Sequence, residues 1–187
     1  MRGVVTSRDG IPLAFEAHGA GAPAVVLVHG WSCDRSYWNG QVGPLAARYR
    51  TVAVDLAGHG ESGSGRRAWT MAAFGEDVVA VVEHLGAGPV VLVGHSMGGD
   101  VSAATPEIAV EALRHAVGNE PGVIAGLARL TVPVVAINAE QGHTDTAALR
   151  RHGVEPVLMP GVGYFLMMED PEGFNRLLID AVEGFSA

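Results

Sequence analysis

Ser96 is framed by a glycine two positions away on either side, in Gly94-His95-Ser96-Met97-Gly98, with Gly99 following. The four residues before it, Val90 to Val93, are all apolar and three are β-branched. The residues after it suit a helix. A G-x-S-x-G segment between a buried strand and a helix confines the backbone to one sharp strand-to-helix turn. Small residues at the flanking positions let strand and helix approach closely, and the turn lifts the serine hydroxyl to the C-terminal edge of a sheet. It also brings backbone N–H groups, near the positive end of a helix, beside any carbonyl that the hydroxyl could reach.

The rest of the chain has the periodicity such a turn needs. Residues 3–7 and 11–17 flank Arg8-Asp9-Gly10 and predict an N-terminal hairpin. Ala24 to Val28, Thr51 to Val54 and Val90 to Val93 are apolar on both faces, as expected of strands covered by helices on both sides. Between them, Gln41 to Tyr49 and Thr70 to Leu85 read as helices, the second with Thr70 as N-cap and Gly86 as stop. After the turn, a helix is expected over Met97 to Ala104, another opening at Thr105-Pro106-Glu107, and a third over Pro121 to Arg129. Pro133 to Asn138 reads as a strand, Thr144 to His152 as a helix ended by Gly153, Pro156 to Met159 as the last strand, and Pro171 to Phe185 as the last helix. Strands alternating with helices imply a mainly parallel sheet in an α/β protein. At 187 residues the chain is expected to form one domain, 1–187, with a core large enough to need no disulfide or metal.

Composition narrows the function. Net charge is −8 without a basic run, which argues against nucleic acid and anionic membrane as partners. Cys33 is the single cysteine, so no internal disulfide can form and a bystander role is expected for it. No charged and then apolar leader opens the chain, and no apolar run nears the ~20 residues of a membrane helix, so a cytoplasmic location is expected. Clustered metal ligands, G-x-G-x-x-G and a phosphate-loop lysine are absent from the sequence, so no metal, nucleotide or other cofactor is implied.

Two further segments accompany the turn. His29-Gly30-Trp31 follows the 24–28 strand, and Asp55-Leu56-Ala57-Gly58-His59-Gly60-Glu61-Ser62 follows the 51–54 strand. Asp55 and His59 are expected to satisfy backbone groups inside their loop. Together the three segments, in this order and spacing, resemble the α/β-hydrolase superfamily, in its branch of small esterases and lipases. The resemblance covers residues 1–104 and resumes from about 130 to the end. It implies a three-layer fold with a mainly parallel sheet. It also implies Ser96 as nucleophile, the N–H groups of Met97 and Trp31 as oxyanion donors, and Gly30 and His95 among the residues around the substrate. The implied substrate is a small ester or other acyl compound.

The chain departs from that pattern in three ways. Where the family carries its catalytic histidine, this segment reads Gly161-Val162-Gly163-Tyr164-Phe165, with tyrosine at the position itself. Tyrosine is a poor general base near neutral pH, because its ordinary pKa is about 10. It also lacks the two ring nitrogens that let histidine relay between acid and nucleophile. Among the other histidines only His143, on the loop after the 133–138 strand, is placed to substitute; His115 and His152 read as helix-surface residues. The acid is open between Glu140, slightly favoured, and Asp145, which an N-cap role explains equally well. Lastly, no β-branched apolar run lies between 100 and 130, so one sheet strand and most of the cap above the site are expected to be missing. Apolar surface left by that gap would favour a homodimer. Two functions compete: a serine hydrolase weakened by Tyr164, and an inactive or very weak relative that binds a small apolar ligand at Ser96. Cofactor-free chemistry other than hydrolysis comes third.

Overall fold

The computed structural model describes residues 1–103, 111–114, 130–142 and 144–185. Eight strands form one sheet: β1 Arg2–Thr6, β2 Pro12–His18, β3 Ala24–Val28, β4 Arg50–Val54, β5 Val90–Gly94, β6 Glu111–Arg114, β7 Val134–Ala139 and β8 Val154–Met159. Their spatial order is β1-β2-β4-β3-β5-β6-β7-β8. Strand β2 runs antiparallel to both neighbours, and every pairing from β4 to β8 is parallel. The sheet is thus mainly parallel, as the alternation of strands and helices predicts.

The period-two alternation of the central strands sorts side chains onto two faces. Val26 and Val28, with Val52, Val54 and Leu92, pack on one face against Phe74, Val78 and Val81 of α2 (Met71–His84) and Val101 of α3 (Met97–Ala103). Val25 and Leu27, with Ala53, Val91 and Val93, pack on the other against Leu45 of α1 (Asn39–Ala46) and Phe174, Leu178 and Val182 of the C-terminal helix Pro171–Phe185. Every residue of β3 and β5 is buried, because both faces are covered. Two short helices complete the described set in chain order, α4 (Thr146–Arg151) and α5 (Leu166–Glu169), so the C-terminal helix is α6.

Helix ends follow their residues. Thr70 accepts the Ala73 N–H at 3.1 Å and caps α2, and Gly86 turns the chain away at φ +55°. Helix α1 starts two residues earlier than its pattern suggests, after a 3₁₀ turn over Arg35–Trp38 capped by Asp34. Its Gln41 is buried and donates to the carbonyl of Met167 at 2.9 Å. Helix α4 is shorter than its pattern, because Asp145 takes the N-cap position and accepts the Ala148 N–H at 2.8 Å.

The expectation of a missing strand is corrected. Strand β6 fills that place, in parallel register with β5 (Val91 opposite Glu111) and β7 (Ala112 opposite Val134). Glu-Ala-Leu-Arg has the composition of a helix, and pairing on both sides overrides that local preference. The helices expected from Thr105 and over Pro121 to Arg129, and the extent of the cap, lie outside the described residues. No helix among the described residues is long and apolar enough to cross a membrane.

Candidate active site

Ser96 is set between β5 and α3 with φ +53°, in the left-handed region that L side chains avoid. Such a residue costs on the order of 1–3 kcal/mol and persists only where its surroundings enforce it. The surroundings here are backbone. A Cβ at Gly94 would strike the carbonyl of Gly98, and one at Gly98 would strike the carbonyl of Val28 and lie 2.7 Å from that of His29. The His95 N–H donates to the Val28 carbonyl at 3.1 Å, tying the turn to the end of β3. The Gly98 and Gly99 amides donate back to the carbonyls of His95 and Ser96 at 2.9 and 2.8 Å, closing the turn into the helix. Met97 opens α3, so its N–H has no acceptor within the helix.

The loop after β3 lies against this turn. A Cβ on Gly30 would stand 3.2 Å from both His95 Nδ1 and the Ser96 Cβ, so glycine leaves the space beside Ser96 open. His29 is buried, and its two nitrogens have opposite duties. Nδ1 lies 2.7 Å from the Gly30 carbonyl and must donate to it, while Nε2 accepts the Leu56 N–H at 3.1 Å. Only the neutral ring can do both. Burial drives its pKa down to about 4. Trp31 stands 65% exposed, its ring edge-on to His59 with centroids 5.5 Å apart. Cys33 lies beside it, its thiol 3.4 Å from the Trp31 carbonyl and pushed up by burial, away from thiolate chemistry.

The octet after β4 wraps Asp55, as expected. The buried carboxylate accepts the Arg35 and Glu61 amides at 2.7 and 2.9 Å and pairs with the Arg35 guanidinium. His59 Nδ1 donates to the Ala57 carbonyl at 3.0 Å.

Tyr164 arrives from the other side, on the loop after β8. Its hydroxyl donates a hydrogen bond to Ser96 Oγ. Its ring stands edge-on to His95 at 4.9 Å and to Phe165 at 5.0 Å, and Tyr37 packs on Phe165 at 5.7 Å. The backbone of this loop is held at three points. His95 Nε2 donates to the Tyr164 carbonyl at 3.0 Å. The carboxylate of Glu169, in α5, accepts the Gly163 and Phe165 amides at 2.6 and 3.1 Å, one on each side of Tyr164.

Ser96, His95, Gly30 and Tyr164 are therefore brought together. Met97 follows Ser96 directly, and Trp31 follows Gly30. Asp145 is engaged as the cap of α4 and lies 4.0 Å from Arg151 at the surface. Glu140 sits exposed in a 3₁₀ turn, Glu140–Gly142, directly after β7. His115 and His143 lie outside the described residues. His152 is exposed at the end of α4. Glu169 is the contributor that sequence reasoning passes over: a carboxylate in a short helix carries no mark of the amides it will accept.

A strained strand-to-helix turn at the C-terminal edge of a sheet in this strand order defines an α/β-hydrolase architecture. The chain belongs to that family: the model described as "alpha/beta hydrolase fold" matches residues 23–147. Among relatives, it is 32% identical over 170 residues to the dihydrolipoyllysine-residue acetyltransferase component of the acetoin cleaving system of Pseudomonas putida, covering 87% of this chain and 43% of that one. It is 38% identical over 99 residues to a bifunctional esterase/perhydrolase of Acinetobacter calcoaceticus, covering 52% of this chain and 36% of that one. The chain thus spans less than half the length of these relatives. Among solved structures, a thermophilic esterase from Thermogutta terrifontis superposes with a TM-score of 0.83 over 100% of both chains, at 20% identity, a likeness of fold.

Proposed function

We propose that the protein is a serine hydrolase acting on carboxylic esters or similar small acyl compounds. Ser96 attacks the carbonyl, and the N–H groups of Met97 and Trp31 receive the oxyanion. Glu140 or Asp145 remains the candidate acid, and Tyr164 weakens the catalysis that a histidine would give. The observation carrying this reading is the strained φ of Ser96 at the mouth of α3, enforced by Gly94 and Gly98. Strain of that kind clusters at functional sites, and at Ser96 it places the hydroxyl at the C-terminal end of β5. An esterase/perhydrolase among the relatives agrees with an ester as substrate.

The test is hydrolysis of p-nitrophenyl acetate and butyrate by the unaltered chain, Ser96→Ala and Tyr164→His. The expected result is weak turnover that vanishes in Ser96→Ala and rises about 10²–10⁴-fold in Tyr164→His, the contribution of a positioned base. Turnover unchanged in Ser96→Ala would sink the reading.

The hydrogen bond from Tyr164 to Ser96 also favours a second reading, in which the site binds a small apolar ligand without turning it over. A serine that no fluorophosphonate labels, with Tyr164→His silent, would select it.

A further inference from the structure

With the phenol protonated, the Tyr164 hydroxyl donates to Ser96 Oγ, and its proton occupies the line along which Ser96 would give up its own. Loss of the phenol proton reverses that bond without moving a heavy atom. The serine hydroxyl then donates to a phenolate oxygen already within hydrogen-bond reach. That is the relation a general base needs to its nucleophile. We propose that Tyr164, in its phenolate form, is the general base for Ser96, and that Glu169 and His95 are the positioning residues that hold it there, which makes the protein an alkali-activated hydrolase. The proposal rests on the Ser96 reading above.

The loop geometry supports it. A tyrosine that had merely replaced a lost residue would need no particular placement. Here the backbone on both sides of it is fixed. The Glu169 carboxylate takes the two flanking amides, and the His95 ring N–H takes the residue's own carbonyl. Groups from the elbow and from its own loop reach the ring. From the elbow come the His95 ring at 4.9 Å and the Ser96 hydroxyl, and from its own loop the Phe165 ring at 5.0 Å. Glu169 is the carboxylate packed against the loop from α5, and its charge is spent on the two amides. Tyr164 is 44% exposed, so hydroxide in solution can reach its proton.

The steps balance. The phenolate oxygen takes the Ser96 proton as Ser96 Oγ bonds to the acyl carbon and the carbonyl electron pair moves onto oxygen. Collapse breaks the bond to the leaving group, which receives the proton from the Tyr164 hydroxyl. Water then gives a proton to the phenolate as it attacks the acyl-serine, and the departing Ser96 oxygen takes that proton back.

The rate at which a fluorophosphonate labels Ser96 tests this, followed by intact mass between about pH 7 and about pH 9 alongside p-nitrophenyl acetate turnover. Below the ionisation of a phenol, the phenolate fraction rises about tenfold per pH unit, and both rates are expected to follow it. In Tyr164→Phe, which keeps the ring and removes one exposed hydroxyl, the rates at the alkaline end are expected to fall about 10²-fold or more and the slope to flatten. Glu169→Ala is expected to lower kcat with KM little changed, with partial recovery in Glu169→Gln, which retains one acceptor oxygen. Ser96-dependent labelling with the same rate and slope in Tyr164→Phe overturns the proposal and leaves the nucleophile intact. Labelling that persists in Ser96→Ala overturns the nucleophile and the proposal together. No labelling at any pH also overturns the proposal, and turnover lost only in Ser96→Ala would then show the nucleophile reading surviving.

Discussion

A single methyl group decides whether the elbow can exist. At Gly98 it would be driven into the carbonyls of Val28 and His29, which are backbone atoms of a fully buried strand end and cannot swing aside. Gly98→Ala is therefore expected to cost about 1–3 kcal/mol in strain and overpacking, and to abolish fluorophosphonate labelling of Ser96 even where the protein stays folded. Denaturant unfolding and labelling on one sample check both halves, and a variant that labels at the unaltered rate contradicts the account. The same residues explain what the sequence discloses at this scale. The elbow is legible because its five residues, Gly94 to Gly98, are consecutive, although the Val28 and His29 carbonyls that confine Gly98 come from another strand and the loop after it. The partner of Ser96 is legible as a position, Tyr164, through its local Gly-x-Gly context. Glu169 is not legible, since its role is to accept two amides that every residue possesses. That Asp145 caps α4 depends on where the helix begins, which is a matter of one hydrogen bond.

At the scale of elements, α6 shows how periodicity becomes stability. Phe174, Leu178 and Val182 recur at every fourth position and all reach one face of the sheet. Leu178 is fully buried among them. Leu178→Ala is expected to destabilise the fold by about 2–5 kcal/mol, the usual cost of such a cavity, readable as a lower urea midpoint with an unchanged slope. A loss under about 1 kcal/mol would mean that the helix is not anchored as described. Strands β3, β4 and β5, and helices α2 and α6, could be read from sequence because their apolar periods are strong. Strand β6 could not. Its four residues have helical composition, and the hydrogen bonds that make it a strand come from β5 and β7, far away in the chain. The short helix α5 escapes for the related reason that four residues carry no period of their own.

On its acid side the whole molecule depends on one buried histidine and on one exposed carboxylate held by the buried Arg66. His29 is kept neutral down to about pH 4, whereas in the unfolded chain it takes up a proton near its ordinary value of 6.5. Between those values the unfolded state binds the extra proton, so stability is full above about pH 6.5 and declines as pH falls toward 4. A shift of this size corresponds to about 3 kcal/mol. Below that, Asp9 takes over. Hydrogen bonds from the Arg66 guanidinium hold its carboxyl at about 2, so its contribution is present above the ordinary 3.8 and is lost as pH falls toward 2. Thermal unfolding across this range is expected to show Tm falling in two stages, and His29→Asn should flatten the upper one. An unchanged slope in that variant would assign the upper stage to another group.

The three tryptophans occupy contrasting surroundings. Trp38 is sealed in the core, 1% exposed, while Trp31 projects into solvent one residue from Gly30, which borders Ser96. Trp69 is the third, 45% exposed, its ring tilted against Phe74 with centroids 5.9 Å apart. The molecule thus carries its own optical gauge. Acrylamide quenches Trp31 and Trp69 and spares Trp38, so a ligand settling beside Ser96 announces itself as a fraction of the emission withdrawn from the quencher, read without any label.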